Sequence, residues 1–326
     1  MRLRLAALVA ATVLLTFAPG LAAPAYPEKA LEIIAPAGAG GGWDLTARMT
    51  ARALAEEKLV TVPVTVTNMP GGSGAIGIAH MVTRRKGDAH VLAVMGSSLT
   101  GTLARKAVPY TFKDVVPIAA LTGDFMVVAV RKDSTFTRLR VLMDVYRRDP
   151  GLITVGGGSA PGSLDHIAFA LLGKKVGVDT TKVRYVPFDG GAQAMAALLG
   201  GSITVLSTSL SEVLPNLEAG QIRVLGVTSP ERLGGNLRSI PTALEQGVDF
   251  VFVNWRGFYM PPDTPAAVVR YWETTLDRMA KSRSWAKILD EMKWAPFLLT
   301  GERFRRFLDD DLSSTEVALR ELGLVR

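Results

Sequence analysis

The chain has 326 residues, 48% of them hydrophobic, with 37 Lys and Arg against 30 Asp and Glu, three His and no Cys. Ordinary hydrophobicity and a small net charge exclude a disordered chain, and this length supports a substantial core that usually divides into two lobes. The missing Cys excludes thiol nucleophiles, thiolate zinc sites, iron–sulfur ligation and disulfides together.

Arg2 and Arg4 precede an uncharged apolar run from Leu5 to Ala18, followed by Pro19-Gly20 and then Ala23-Pro24-Ala25. This is the pattern of a secretory signal peptide over residues 1–25, cleaved near Ala25. The run is shorter than the roughly 20 apolar residues of a membrane span, and it lacks the polar face of a packed helix. No Cys follows that would carry a lipid, so the expected mature protein begins at Tyr26 and is periplasmic without a lipid anchor. Losing two arginines leaves 35 basic against 30 acidic residues, a net +5. A charge so small and scattered does not argue for nucleic acid.

From Tyr26 onward strand periods alternate with helix periods. Leu31 to Pro36 reads as a strand, and Asp44 opens a helix through Ala55. Val62 to Thr67 leads through Asn68-Met69-Pro70-Gly71-Gly72-Ser73-Gly74 into the helix Ala75 to Val82. Val91 to Met95 leads through Gly96-Ser97-Ser98 into Leu99 to Lys106. Ile153 to Val155 leads through a glycine–serine loop to a helix with Leu164, Ile167, Ala168, Leu171 and Leu172 at helical spacing. Val183 to Val186 leads through Phe188-Asp189-Gly190-Gly191 into Ala192 to Leu199. Such alternation predicts an α/β fold with mainly parallel sheets flanked by helices. Two further strands, Phe125 to Val130 and Ile222 to Val227, flank the middle block and read as inter-lobe connections. The expected division is a discontinuous lobe of 26–122 plus 230–326, and a second lobe of 123–229. The C-terminal part reads as mostly helical, with Trp285, Ile288, Leu289 and Met292, then Phe304, Phe307 and Leu308, at core spacing.

The loops carry the chemistry. Each joins a strand's carboxyl end to a helix's amino end, the edge where ligands bind in open α/β sheets. A helix amino end offers unpaired N–H groups and about half a positive charge, so it favours anions. Any single glycine loop is explained by a tight turn alone; four or five on one sheet edge point to a shared cleft. Gly72-Ser73-Gly74-Ala75-Ile76-Gly77 fits G-x-G-x-x-G, yet the next strand supplies no acid for a ribose. There is no G-x-S-x-G elbow and no P-loop. His80, His90 and His166 are isolated, with no metal-ligand spacing, so neither a metal nor a cofactor is implied. Asp44 reads either as a helix N-cap or as an acceptor for a ligand hydroxyl or water; Asp165 or Ser163 reads as an N-cap, with His166 in the first turn. Trp43 and Trp255 either line the cleft or pack. Arg256, in Asn254-Trp255-Arg256-Gly257, either pairs with a ligand carboxylate or bridges the lobes.

The order of segments resembles the periplasmic substrate-binding proteins of tripartite tricarboxylate transporters, the TctC or Bug family. Tyr26-Pro27-Glu28-Lys29, Ile33 to Gly38, and Gly40-Gly41-Gly42-Trp43-Asp44-Leu45-Thr46-Ala47-Arg48 look like its mature N-terminus. The resemblance continues through Asn68 to Gly77, Gly157 to His166, Tyr185 to Gly191, Val227 to Arg232, Pro241-Thr242 with Glu245-Gln246-Gly247, and Asn254 to Gly257. It spans nearly the whole mature chain, and the Gly-Trp-Asp and Asn-Trp-Arg variants look closer to the tricarboxylate branch than to the amino-acid-binding members.

The resemblance implies a two-lobed, periplasmic-binding-protein-like fold of the Venus-flytrap type, a monomer with the ligand cleft between its lobes. It implies no catalysis, but capture of a small carboxylate and delivery to the membrane permease subunits. Carried over, the ligand-binding residues are Gly38, Gly40, Gly41, Gly42, Trp43 and Asp44 of the first loop, then Ser97 and Ser98. Gly158, Ser159, Ala160, Ser163 and Asp165 follow, then Phe188, Asp189 and Gly190, and finally Ser207, Thr208 and Trp255. The chain departs from the family pattern at Pro161, Leu164 and Asp189. An acid at Asp189 would repel a third carboxylate unless a hydroxyl or amine faces it. Two other readings share these features: a ligand-sensing protein docking on a receptor, and an exported α/β hydrolase using Ser159 or Ser73 with His166 as base.

Overall fold

The structure, a computed structural model, describes residues 26–325, and the signal-peptide reading of 1–25 lies outside them. β1 (Leu31–Ala35) leads to α1 (Gly42–Glu56), β2 (Val64–Asn68) to α2 (Ala75–Arg84), and β3 (Val91–Gly96) to α3 (Ser97–Ala104). β4 (Val116–Arg131) and α4 (Leu139–Arg148) come next. They are followed by β5 (Thr154–Gly157), α5 (Leu164–Lys175), β6 (Arg184–Pro187), α6 (Gly191–Leu199), β7 (Val205–Ser209), α7 (Leu210–Glu218) and β8 (Ile222–Val227). β9 (Val253–Met260), α8 (Ala266–Ala280), α9 (Arg283–Met292), β10 (Ala295–Thr300) and α10 (Gly301–Glu321) complete the chain.

The strand order is β2-β1-β3-β9-β4-β7-β5-β6, with β8 and β10 also pairing with β4. β4 belongs to two sheets. Its first part, Val116 to Phe125, pairs with β9 and carries β10 on its other side. Its second part, Met126 to Arg131, pairs with β7 and β8. The pairings that the strand–loop–helix units predict are parallel as expected: β1 with β2 and β3, and β5 with β6 and β7. β9 lies antiparallel to β3 and β4, and β4 antiparallel to β7, β8 and β10, so the whole is mixed. β9 follows an irregular segment in place of a crossover helix, which lets it run opposite to β3.

Burial explains the strands. β3 is inaccessible along its whole length, as a central strand covered by helices on both faces must be, and reads as a continuous apolar run. β2, at the edge, is covered only on alternate positions. One large core lies around the first sheet, including Trp272, Trp285, Phe258 and Phe304. Two smaller cores flank the second sheet, one holding Tyr146 and Phe169 and the other Leu198 and Leu206. Leu237, Ile240, Ala243 and Val248 pack into these smaller cores, so the stretch between β8 and β9 stays with the second sheet. The C-terminal part, read as mostly helical, also contributes β9 and β10 to the first sheet. Among the described residues no helix is long and apolar enough to cross a membrane.

Candidate ligand-binding cleft

A cavity of about 380 Å³ lies where the β1–α1 and β2–α2 loops face the β5–α5 and β6–α6 loops and the start of α7. Of the expected residues, Gly41, Gly42 and Trp43 line it from the first loop, and Ser98 from the third. Gly158, Ser159, Ala160 and Asp165 line it from the opposite side, with Phe188, Asp189 and Gly190. Two glycines are required by geometry. Gly190 has φ +131°, a conformation L side chains rarely adopt, and a Cβ on Gly158 would come within 2.6 Å of the Gly190–Gly191 backbone.

The two sides touch across this space. Ala160 donates its N–H to Ser73 Oγ at 2.7 Å, and Ser163 Oγ donates to the Ser98 carbonyl at 2.9 Å. Gly42, first residue of α1, donates its N–H to Glu212 Oε1 at 2.9 Å. Gly38 reaches the β6–α6 loop, where a Cβ would lie 3.0 Å from the Asp189 carbonyl.

Beneath the loops lies a buried charge cluster. Arg256 on β9 is 1% exposed, and its Nη2 lies 3.1 Å from Asp124 Oδ2 and 3.8 Å from Glu212 Oε1. Its guanidinium sits 5.6 Å from the centre of the Trp294 ring. Asp124, on β4, also accepts from Ser211 Oγ and from Trp294 Nε1. Thr208 Oγ1 donates to Glu212 Oε2 at 3.1 Å. Burial raises the Asp124 and Glu212 carboxyls, and Arg256 opposes this in both. Burial and then the Glu212 charge push Asp165 up to about 8, so it holds a proton at neutral pH.

The family model described as the tripartite tricarboxylate transporter family receptor, TctC, matches residues 46–324. The chain belongs to this family. It is 26% identical to a UPF0065 protein of Bordetella pertussis over 320 residues, 97% of this chain and 96% of that protein. It is 29% identical to a TctC solute-binding protein from Polaromonas, with a TM-score of 0.63 over 91% of this chain and 99% of that one. Against an R. palustris protein solved with adipate the identity is 25% and the TM-score 0.81, over 91% and 98% of the two chains. The fold is therefore the two-lobed one of periplasmic binding proteins, and TctC proteins are solute-binding proteins of the periplasm, not enzymes.

Within this TctC chain several expected residues sit away from the cavity. Asp44 is not the N-cap of α1, which is Gly41. It is buried in the first turn, and its carboxylate accepts from the Gly40 N–H at 2.9 Å, Arg48 Nε at 3.0 Å and Asn68 Nδ2 at 2.9 Å, so it ties the glycine loop down. Gly40 thus serves as a donor to Asp44. Trp255 packs against Phe304 and Phe307 and donates Nε1–H to Asp311. Ser97 lines a separate cavity of about 200 Å³ against α10. Ser207 Oγ donates to the Asp165 carbonyl, and Thr208 meets the cavity only through Glu212.

Ser163 occupies the N-cap position of α5 without a side-chain cap bond, since its hydroxyl goes to Ser98. Ser159 Oγ takes up the capping role by accepting from the Asp165 N–H at 3.0 Å. His166 accepts the Gly162 N–H at Nδ1 and stacks on Tyr185 with ring centres 4.6 Å apart. Burial, with Arg105 nearby, pushes it down to about 4. Ser73 Oγ faces the Ala160 amide. Neither serine meets a histidine, in keeping with a family of binders.

Glu212 and Asp124 were not singled out from sequence. Glu212 looks like an ordinary acid in a helix's first turn, where the dipole favours it. Asp124 had a visible signal, an acid within an otherwise uncharged stretch of strand, because a buried carboxylate needs partners.

Proposed function

We propose that this TctC protein captures a small carboxylate, a tricarboxylate or a related organic acid, between its lobes and delivers it to the membrane permease subunits of a tripartite tricarboxylate transporter. The observation that carries this is the meeting of the Gly41–Trp43, Gly158–Ala160 and Asp189–Gly191 loops around one cavity at the amino ends of α1, α5 and α6. Backbone N–H groups and helix dipoles of α5 and α6 favour a carboxylate there without a dedicated cationic side chain, the Gly42 N–H of α1 being taken by Glu212. The relative determined with adipate supports a carboxylate ligand. The lining residues are the proposed contacts, with Asp44, Ser163 and Ser207 holding the loops.

In this reading the signal peptide is removed near Ala25, and the mature chain acts as a monomer. Its lobes divide within β4. The boundary expected near residue 229 moves to about 252, because Leu237 to Phe250 pack with the second sheet.

Thermal-shift measurement on the mature protein tests the reading with citrate, other tricarboxylates, adipate, shorter dicarboxylates and acidic amino acids. A ligand at 100 times its Kd adds about 2.7 kcal/mol of stability. No shift with any organic acid overturns it.

A further inference from the structure

The cleft's charges do not suit a plain polyanion. The carboxylates of Asp189 and Glu212 line it beside the carboxyl of Asp165, and Arg256 is the one cation among its described lining residues. Arg256 is already committed to Asp124 at 3.1 Å. Its Nε and Nη1 have no hydrogen-bond partner among the described residues although the side chain is 1% exposed, so two buried donors of a cavity-lining residue are unmet.

Glu212 lines the same cavity with its Oε1 3.8 Å from Arg256 Nη2, and it is held from two sides. One oxygen accepts the Gly42 N–H at the start of α1, the other the Thr208 hydroxyl. The Gly191 backbone at the start of α6 packs so closely that a Cβ there would take the place of Oε2. Glu212 thus stands where an anion would sit at the start of α1, and it lines the cavity with lone pairs that accept no further hydrogen bond from the described residues. A carboxylate offers about four acceptor positions, of which two are used. Unmet acceptors in a closed site cost affinity, so a ligand that fills the cleft must supply a donor.

We propose that Glu212 is a specificity-determining residue, selecting ligands that carry a hydroxyl or ammonium group beside the carboxylate held by the glycine loops over ligands that present carboxylates alone. This rests on the carboxylate reading above.

The test is calorimetric titration of the mature protein with pairs differing by one hydroxyl: succinate and malate, glutarate and 2-hydroxyglutarate, tricarballylate and citrate. In the pair that binds, the hydroxylated member is held about 10- to 100-fold tighter, the range expected for a hydrogen bond to a charged group. Glu212→Gln keeps the shape and lowers this preference to within about threefold. Glu212→Asp, which withdraws the carboxylate by one methylene, does the same if the first variant folds poorly. Equal affinity within the binding pairs of the wild type overturns the inference and leaves the carboxylate reading intact. A preference unchanged in both variants also overturns it. Failure of every acid to bind overturns the carboxylate reading itself, and the inference with it.

Discussion

Replacing Arg256 by Met removes the cation from the centre of the molecule while keeping an unbranched side chain of similar length. Asp124 is inaccessible to solvent, and Glu212 is 13% exposed on its side chain, so neither carboxylate regains full hydration in the variant. Breaking a buried pair by removing one partner costs about 3–5 kcal/mol. Loss of the guanidinium over Trp294 adds about 0.5–2 kcal/mol. Urea unfolding of the mature protein at pH 7.5, followed by tryptophan fluorescence, should therefore show Arg256→Met destabilised by at least about 3 kcal/mol. The double variant Asp124→Asn/Arg256→Met, with no uncompensated charge left at Asp124, should recover about 1–3 kcal/mol relative to the sum of the two single losses. In Arg256→Met the carboxyls of Asp124 and Glu212 rise further in the folded state. Their contribution is then retained at low pH and lost as pH rises, so the penalty shrinks on acidification toward pH 4 to 5. A single-variant loss under about 1 kcal/mol, or additivity in the double variant, refutes the view that these charges depend on one another.

Asp165 keeps a proton in the folded protein that the unfolded chain, at its usual 3.8, has lost. Its contribution is whole below pH 3.8 and disappears as pH rises toward 8, by at most about 1.4 kcal/mol per unit, so Asp165→Asn should flatten that slope; parallel wild-type and variant profiles in urea refute it. His166, lowered from 6.5 to about 4, acts oppositely: stability is lost as pH falls through that window, and His166→Gln should remove the loss. Asp44→Ala should destabilise the unliganded protein by about 1–3 kcal/mol by freeing Gly40, Arg48 and Asn68; unchanged stability with weakened ligand binding would assign Asp44 to the ligand instead. Gly42→Ala would place its Cβ against the Arg256 guanidinium and 2.8 Å from Glu212 Oε1, costing about 1–3 kcal/mol; a wild-type melting curve would contradict that contact.

The parallel units were legible because each repeats one physical pattern, an apolar strand, a glycine or serine turn and a helix. β3 and α5 are plain examples, and the resemblance placed most of the cavity-lining loops. β4 was visible only from Phe125 to Val130, since Pro117, Thr122, Gly123 and Asp124 break its apolar run. β7, with its three hydroxyl residues Ser207, Thr208 and Ser209, lacks the β-branched apolar period although it is buried throughout. Trp255 and Asp44 show why residue type alone misplaces a contact. A Trp is as good a core anchor as a cleft wall, and an acid at a helix start is equally suited to a ligand, a cap or, as here, a neighbouring loop. Glu212 could be found only once folding brought α7 against the start of α1, a proximity of residues 170 positions apart.

The shared strand β4 also orders the assembly of the molecule in time. Its second part finds β7 and β8 within the next hundred residues, so the second sheet can close from a continuous piece of chain. Its first part must wait for β9 and β10, with Val116 meeting Met260 and Ala119 meeting Thr300. Pairings so distant along the chain are slow to form. The sheet that begins first, with β1, should therefore be completed last, and an exposed edge of β4 is the surface most open to wrong partners until the final helices arrive.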